Sequence, residues 1–185
     1  MPGPASAIRY EFTLVDPAGL VAQQLLREYF GEVLNRLYRR PATDDEITAA
    51  LTDDPNYGMT PPDGIFIVAS AAGVAHGCAG LRLVDNQTGE VKRVYVRPTA
   101  RRNKLGTLLM AEIETYAQTR GLSSLRLDSR HDLHEARAMY TQLGYRDTPR
   151  FNGSTLAEIW LEKKLEPKPA STIDGPRRLP SNTDA

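Results

Sequence analysis

The chain is poor in cysteine and histidine, modest in aromatic content and free of any charge surplus, and each shortage removes a class of function. Cys78 is the single cysteine among 185 residues, so neither an internal disulfide nor a cysteine metal cluster can form. Lysine plus arginine number 23, as do aspartate plus glutamate. A chain without net charge has no global field to draw it to nucleic acid or to an anionic membrane. No apolar run approaches the roughly 20 residues that a membrane helix needs. The start, MPGPASA, offers no apolar stretch before Arg9 and Glu11, unlike a signal peptide. No Gly-x-Ser-x-Gly turn supplies a serine nucleophile. His131 and His134, three apart without thiolate or carboxylate help, make a poor metal pair. These absences predict a soluble, cytoplasmic, metal-free protein.

What is present suits one domain with a substantial core, since domains commonly run about 100–200 residues. Residues 1–7 are small and rich in proline and glycine, a flexible lead-in. From Pro167 to Ala185 prolines recur without apolar periodicity, a disordered tail. The domain proper spans 8–166. Ile8–Val15 alternates with period two, as a strand does. Pro17–Leu37 carries apolar residues at helical spacing, with a possible break near Gly31, and Thr43 with Glu46 is a capping-box signature for a short helix to about Leu51. A hairpin is predicted from Ile65–Ala69 and Val74–Val84, and a turn at Asp85–Gly89 leads to a strand over Glu90–Val96. A helix over Lys104–Arg120, a strand over Leu125–Asp128, a helix over Leu133–Leu143 and a last strand over Leu156–Leu165 follow, with a further strand at Tyr145–Thr148. Such an order implies a mixed α/β fold: a mostly antiparallel sheet of six or seven strands with helices on both faces.

The stretch with most chemical content is Val91–Met110. A strand rich in β-branched and aromatic residues ends at Pro98. A loop holding Arg101, Arg102, Lys104 and Gly106 follows, and then an amphipathic helix. A basic, glycine-bearing turn into a helix N-terminus offers backbone N–H groups and the positive end of the helix dipole to an anion. Cations at a helix start are unfavourable unless an anion is there, so phosphate is the expected guest.

Element order and two motifs together resemble the GNAT-type N-acetyltransferases over roughly Ile8–Leu165. The family's aromatic-Val-x-Pro strand end matches Tyr95-Val96-Arg97-Pro98, and its pyrophosphate loop, Gln/Arg-x-x-Gly-x-Gly/Ala, matches Arg101–Gly106. A second helix ending in Ala-x-x-x-Tyr-x-x-x-Gly-Tyr/Phe is similar to Ala136–Tyr145. Two positions depart. Lys104 stands where the first loop glycine is usual, and Leu133 where an asparagine often touches the cofactor. The resemblance implies acetyl-CoA as co-substrate, transfer to the amine of a small molecule, and a homodimer. A protein or peptide acceptor, or a CoA-binding module whose chemistry has decayed, are the rivals.

By the same resemblance, backbone and side chains of Arg101, Arg102, Asn103, Lys104, Leu105, Gly106 and Thr107 would hold the phosphates. The strand residues Val94, Tyr95 and Val96 would pair with the pantetheine arm, and a strand N–H would serve as oxyanion donor. Tyr140 is expected to protonate the departing CoA thiolate, since thiols have pKa values near about 8.5. Glu90 is the candidate base, with Asp128 as an alternative. Acceptor walls are expected from the helical pair about Phe30–Leu51, from Asn56–Asp63 as a semi-rigid lid, and from the Arg150–Thr155 loop. Phe151-Asn152-Gly153, Glu158 and Trp160 resemble residues of a bacterial subgroup of the family. Arg150, Asn152 and Glu158 are the candidate acceptor contacts.

Overall fold

A computed structural model describes residues 8–166; the expectations of a flexible start and a disordered tail lie outside the described residues. The elements run β1 (Glu11–Leu14), α1 (Leu20–Tyr38), α2 (Asp44–Asp53), β2 (Gly64–Ala71), β3 (Val74–Leu83), β4 (Thr88–Val96), a single 3-10 turn (Pro98–Ala100), α3 (Leu105–Thr119), β5 (Ser124–Ser129), α4 (His134–Gln142), β6 (Arg146–Asp147) and β7 (Ile159–Lys164). They form a seven-stranded sheet in the order β1-β2-β3-β4-β5-β7-β6. The pairing of β4 with β5 is parallel and the other five pairings are antiparallel.

Alternation along the strands divides the core in two. Ile65, Ile67, Leu81, Val91, Leu125, Leu127 and Leu161 point to the face covered by α3, with Leu109, Met110 and Ile113 filling the layer and Tyr140 of α4 and Tyr145 closing it. On the other face Phe66, Val68, Cys78 and Tyr95 meet Ala22, Leu25 and Leu26 of α1 and Met59. Helix α1 runs unbroken through Gly31, contrary to the expected break. The Ile47 side chain of α2 approaches to 3.4 Å of where a Cβ would stand there, so this glycine serves close helix packing. Helix α2 starts where the capping box predicts, with the Thr43 hydroxyl and Glu46 side chain each satisfying the other's backbone N–H.

Several strands are shorter than expected, among them β6, which holds only Arg146–Asp147 of the 145–148 stretch. Only Glu11–Leu14 of the 8–15 stretch pairs with β2, and Leu156–Glu158 remains outside β7. By contrast β4 begins two residues early, because Thr88 and Gly89 already pair with Ser124 and Leu125.

Two irregularities in β4 shape the site. Its ladder with β5 stops at Glu90 opposite Arg126, and the two strands part beyond that point. On its other edge the register with β3 slips between Cys78–Tyr95 and Gly80–Lys92, so β4 carries one residue more than its partner. The extra residue is Arg93, at φ 60°, where bulges of this kind ordinarily use glycine. Lys92 and Arg93 therefore lean to the same face, toward α1 and α2.

Candidate active site

Val94 and Val96 are half-buried on the α3 face of β4, whereas the Tyr95 side chain is buried on the α1 face. Burial pushes the Tyr95 phenol up to about 12, with Glu28 and Glu32 adding to the shift. Tyr95 thus meets the parting of the strands through its backbone. Past Glu90 the β5-side backbone groups of β4 have lost their ladder partner, so an extended ligand could pair with them.

The loop that follows turns twice through left-handed backbone, at Arg102 (φ 66°) and Lys104 (φ 59°). Lys104 is the N-cap residue of α3 and makes no side-chain cap bond; no acidic residue stands in the first helical turn. Lysine occupies the conformation that glycine favours, at a backbone cost of roughly 1–2 kcal/mol. Helix α3 thus starts with open N–H groups and cationic side chains around them, an arrangement that fits a pyrophosphate. Arg102, Asn103 and Lys104 are exposed, and neither cation has an ion-pair partner among the described residues. Arg101 is differently placed: its guanidinium pairs with Glu32 of α1 and donates to the Val96 carbonyl at 3.0 Å. It fastens the loop to α1 and β4. Leu105 is buried in the core and can offer only backbone. Gly106 sits under α4, where a Cβ would stand 2.8 Å from the Met139 sulfur. Thr107 is half-buried in the first turn.

Tyr140 is buried on α4, edge-on to Tyr145 with ring centroids 5.8 Å apart. It lines a narrow inner cleft of about 70 Å³ at the parting of the strands, with Tyr29, Leu127, Asp128 and Arg93. Burial raises the Tyr140 phenol well above its ordinary value, and Tyr29 and Asp128 reinforce the shift. A phenol so held stays protonated and is a proton donor.

Below the inner cleft lies an outer one of about 640 Å³, walled by α1 (Leu34, Tyr38), α2 and its end (Ala50, Asp53, Asp54), the strand residues Arg82, Glu90 and Lys92, and residues 152–156. The two clefts share Asp54, Lys92, Ser154 and Leu156. The Asn56–Asp63 segment does not form the expected lid. Met59 is anchored in the core with its sulfur over Gly80, and Asn56 accepts from Arg93 Nε at 2.9 Å. Arg93 is 4 % exposed at its side chain, pairs with Asp54 at 3.0 Å and lies 4.7 Å from the Phe30 ring centroid. It ties the bulge to α1 and to the end of α2.

The expected base, Glu90, is 2 % exposed and already engaged. Arg82 donates to it at 2.7 Å and Asn152 at 3.0 Å, with the Lys92 ammonium 3.9 Å away. Burial opposes ionisation of this carboxyl, but the bonds from Arg82 and Asn152 and the nearby Lys92 charge outweigh it and hold it below the usual range. Glu90 lines the outer cleft, and Asp128 and Tyr140 line the inner one. The three acceptor candidates also separate. Asn152 stands at the clefts, donating to both Glu90 and Asp128. Arg150 folds back on its own loop, donating to the Asn152 carbonyl at 2.8 Å and standing 5.3 Å over Trp160. Glu158 accepts from the His131 N–H at 2.9 Å, outside either cleft. Sequence reasoning passed over Arg93, Lys92, Asp54 and Tyr29; an arginine and a lysine side by side in an apolar strand were the available signal.

No three metal-binding side chains converge among the described residues, and no described helix is long and apolar enough to cross a membrane. Comparison with known proteins agrees with this geometry. The model of the acetyltransferase (GNAT) family matches residues 23–145. A protein of Azospirillum brasilense named IAA acetyltransferase is 34% identical over 110 residues, 58% of this chain and 72% of that protein. An N-acetyltransferase of Schizosaccharomyces pombe is 38% identical over 118 residues, 63% and 69% of the two chains. A Klebsiella pneumoniae crystal structure named for an acyl-CoA N-acyltransferase superposes with a TM-score of 0.64 at 26% identity, over 85% of this chain and 98% of that one. With the family model spanning most of the chain and the fold in agreement, the chain belongs to the GNAT family of acetyltransferases, with acetyl-CoA as its co-substrate.

Proposed function

We propose that the protein transfers the acetyl group of acetyl-CoA to the primary amine of a small molecule, by direct attack while both are bound. The observation that carries the acceptor class is the outer cleft. Its volume of about 640 Å³ lies within the range of roughly 300–1,000 Å³ typical of small-molecule sites. Its walls belong to fixed elements: the capping box holds α2, Arg93 ties the end of α2 to β4, and Arg150 folds the 150–154 turn. A peptide would need an open groove. Exposed Asp53 and the adjacent Asp54, at the negative end of the α2 dipole, suit a cationic amine entering from solvent.

The open N–H groups of α3 with Arg102 and Lys104 would hold the pyrophosphate, and the unpaired edge of β4 the pantetheine. A bound thioester supplies an activated acyl carbon, so no covalent enzyme intermediate is needed. Positioning alone can contribute much of the acceleration. The amine nitrogen bonds to the carbonyl carbon and the C–S bond breaks. Tyr140, kept protonated by burial, gives its proton to the departing sulfur. A β4 N–H at the parting is the oxyanion donor in this scheme.

The test is release of CoA thiol from acetyl-CoA with a panel of small primary amines and a panel of short peptides with free N-termini. Small amines are expected to exceed peptides in kcat/KM by at least about tenfold, roughly 1.4 kcal/mol of discrimination. The reverse ranking would make the acceptor a polypeptide.

A further inference from the structure

The side chain of Asn152 has one possible orientation. Its Oδ1 accepts from the Trp160 indole N–H at 2.9 Å and from the Ser154 N–H at 3.3 Å. An indole N–H can only donate, so the carbonyl end of the amide must face it. The Nδ2 end is thereby turned to the parting of β4 and β5. There it gives one hydrogen to Glu90 Oε1 at 3.0 Å and the other to Asp128 Oδ2 at 2.8 Å. One neutral amide thus separates two carboxylates on adjacent strands.

The two carboxylates differ in what else they do. Glu90 has Arg82 on its second oxygen and is sealed from solvent. Asp128 is half-buried and has no ion-pair partner among the described residues. Its only side-chain hydrogen bond among those residues is the one from Asn152, so Oδ1 is free. It also faces the cleft that Tyr140 lines.

Resting on the amine acetyltransferase reading above, we propose that Asp128 is the base that takes the proton of the attacking amine, that Asn152 is the positioning residue that aims it, and that Glu90 is a fixed counter-charge. The entering ammonium sheds one proton to solvent; as the neutral nitrogen bonds to the acyl carbon, a second passes to Asp128 Oδ1 while the sulfur takes one from Tyr140. The proton on Asp128 then passes to the Tyr140 phenolate, directly or through water, and the enzyme returns to its starting state. Asn152 uses one Asp128 oxygen and leaves the other for the acceptor. Without this amide the two negative charges would face each other directly, and Asp128 would lose the one bond that aims it.

Several titratable and charged groups line the same cleft as Asp128. Tyr29 comes from α1, Asp54 from the end of α2, and Lys92 and Arg93 from β4. Tyr140 comes from α4 and Arg130 from the end of β5, with neutral Trp160 opposite on β7. None of them but Asn152 reaches its carboxylate with a hydrogen bond.

The test is single-turnover CoA release by the full chain bound to acetyl-CoA, with saturating benzylamine as probe acceptor, from about pH 4 to about pH 9. Asp128→Asn is expected to slow transfer by about a hundredfold or more and to flatten the acid limb, and Asp128→Glu to recover part of the rate. Glu90→Gln should keep the limb where it is. Asn152→Ala should move it upward by about one pH unit, an effect that loss of packing alone would not produce. An Asp128→Asn variant that keeps the limb and stays within about threefold of wild type, with Glu90→Gln losing the limb instead, would overturn the assignment. Acetyl-CoA titrations on the same samples separate the two levels. Wild type that fails to bind acetyl-CoA takes down the transferase reading itself. An Asp128→Asn variant that binds it and transfers normally takes down this assignment alone.

Discussion

The sulfur of Met139 lies 2.8 Å from the point where a Cβ on Gly106 would stand. Helix α4 therefore crosses the start of α3 with the flexible Met139 side chain laid against the glycine. The family's final loop glycine has a packing role here: the helix bearing Tyr140 is pressed against the helix start proposed to hold phosphate. Gly106→Ala should displace the flexible Met139 side chain at a net cost of no more than about 1 kcal/mol, since alanine favours the helix that glycine disfavours. It should also weaken acetyl-CoA binding, because the strain falls on the first turn of α3. Thermal melts with a titration on the same variant check this; an unchanged affinity would show that the two helices are not coupled.

At Lys104 the backbone and the side chain make separable contributions. Lys104→Gly should raise stability by about 1 kcal/mol by relieving the left-handed backbone, yet lower acetyl-CoA affinity by loss of charge. Lys104→Ala keeps the strain and loses the charge as well. Equal stability of the glycine and alanine variants in denaturant melts would contradict the φ of 59°.

Arg93 sets a similar sign test inside a strand. Glycine ordinarily weakens a strand relative to alanine. At the bulge the order should invert, with Arg93→Gly more stable than Arg93→Ala by roughly 1 kcal/mol. Both should fall about 2–4 kcal/mol below wild type, through the lost ties to Asp54, Asn56 and the Phe30 ring. Urea unfolding of the pair decides it; alanine as the better residue would mean that Arg93 carries no strain.

Glu90 predicts a pH dependence of stability. Its folded proton affinity is depressed relative to the usual carboxylate range. Its contribution is therefore complete above the ordinary carboxylate pKa, about 4.3, and is lost as pH falls below that toward the folded value. Glu90→Gln should destabilise by about 1–3 kcal/mol at pH 7 and show a shallower loss on acidification. A parallel pair of stability-versus-pH curves would contradict this.

Much of the frame was legible in the sequence because it rests on local signals. Thr43 and Glu46 mark a helix start, the hairpin and the turn at Asp85–Gly89 mark β2 to β4, and Gly121 and Gly144, both at positive φ, follow α3 and α4. Of the candidate site, the sequence marks only what local motifs carry, as at Tyr95–Pro98 and Arg101–Gly106. The Arg101 pairing with Glu32, the bulge at Arg93 and the Asn152 bridge each join residues far apart in the chain. A single sequence carries no periodicity for such contacts. The left-handed turns at Arg93, Arg102 and Lys104 were hidden because none is glycine. The Glu90 expectation was drawn from strand position, and burial with Arg82 could not be read from that.

Tyr140→Phe removes one hydroxyl from a buried ring and should leave the fold intact. Transfer should slow by about 10²–10⁴-fold with little change in acetyl-CoA affinity, as expected of a general acid. A variant that loses binding instead would place the phenol in cofactor recognition.

The most direct measurement is a calorimetric titration of acetyl-CoA, with CoA and ATP as comparisons, into the wild type and an Arg102→Glu, Lys104→Glu double variant. These are the loop cations without a protein partner among the described residues, whereas Arg101 is held by Glu32. The account predicts binding of acetyl-CoA and CoA to the wild type in the micromolar range, about −8 kcal/mol, and its loss in a double variant that melts normally. A folded wild type that binds neither, or a double variant that binds both as tightly, would contradict it.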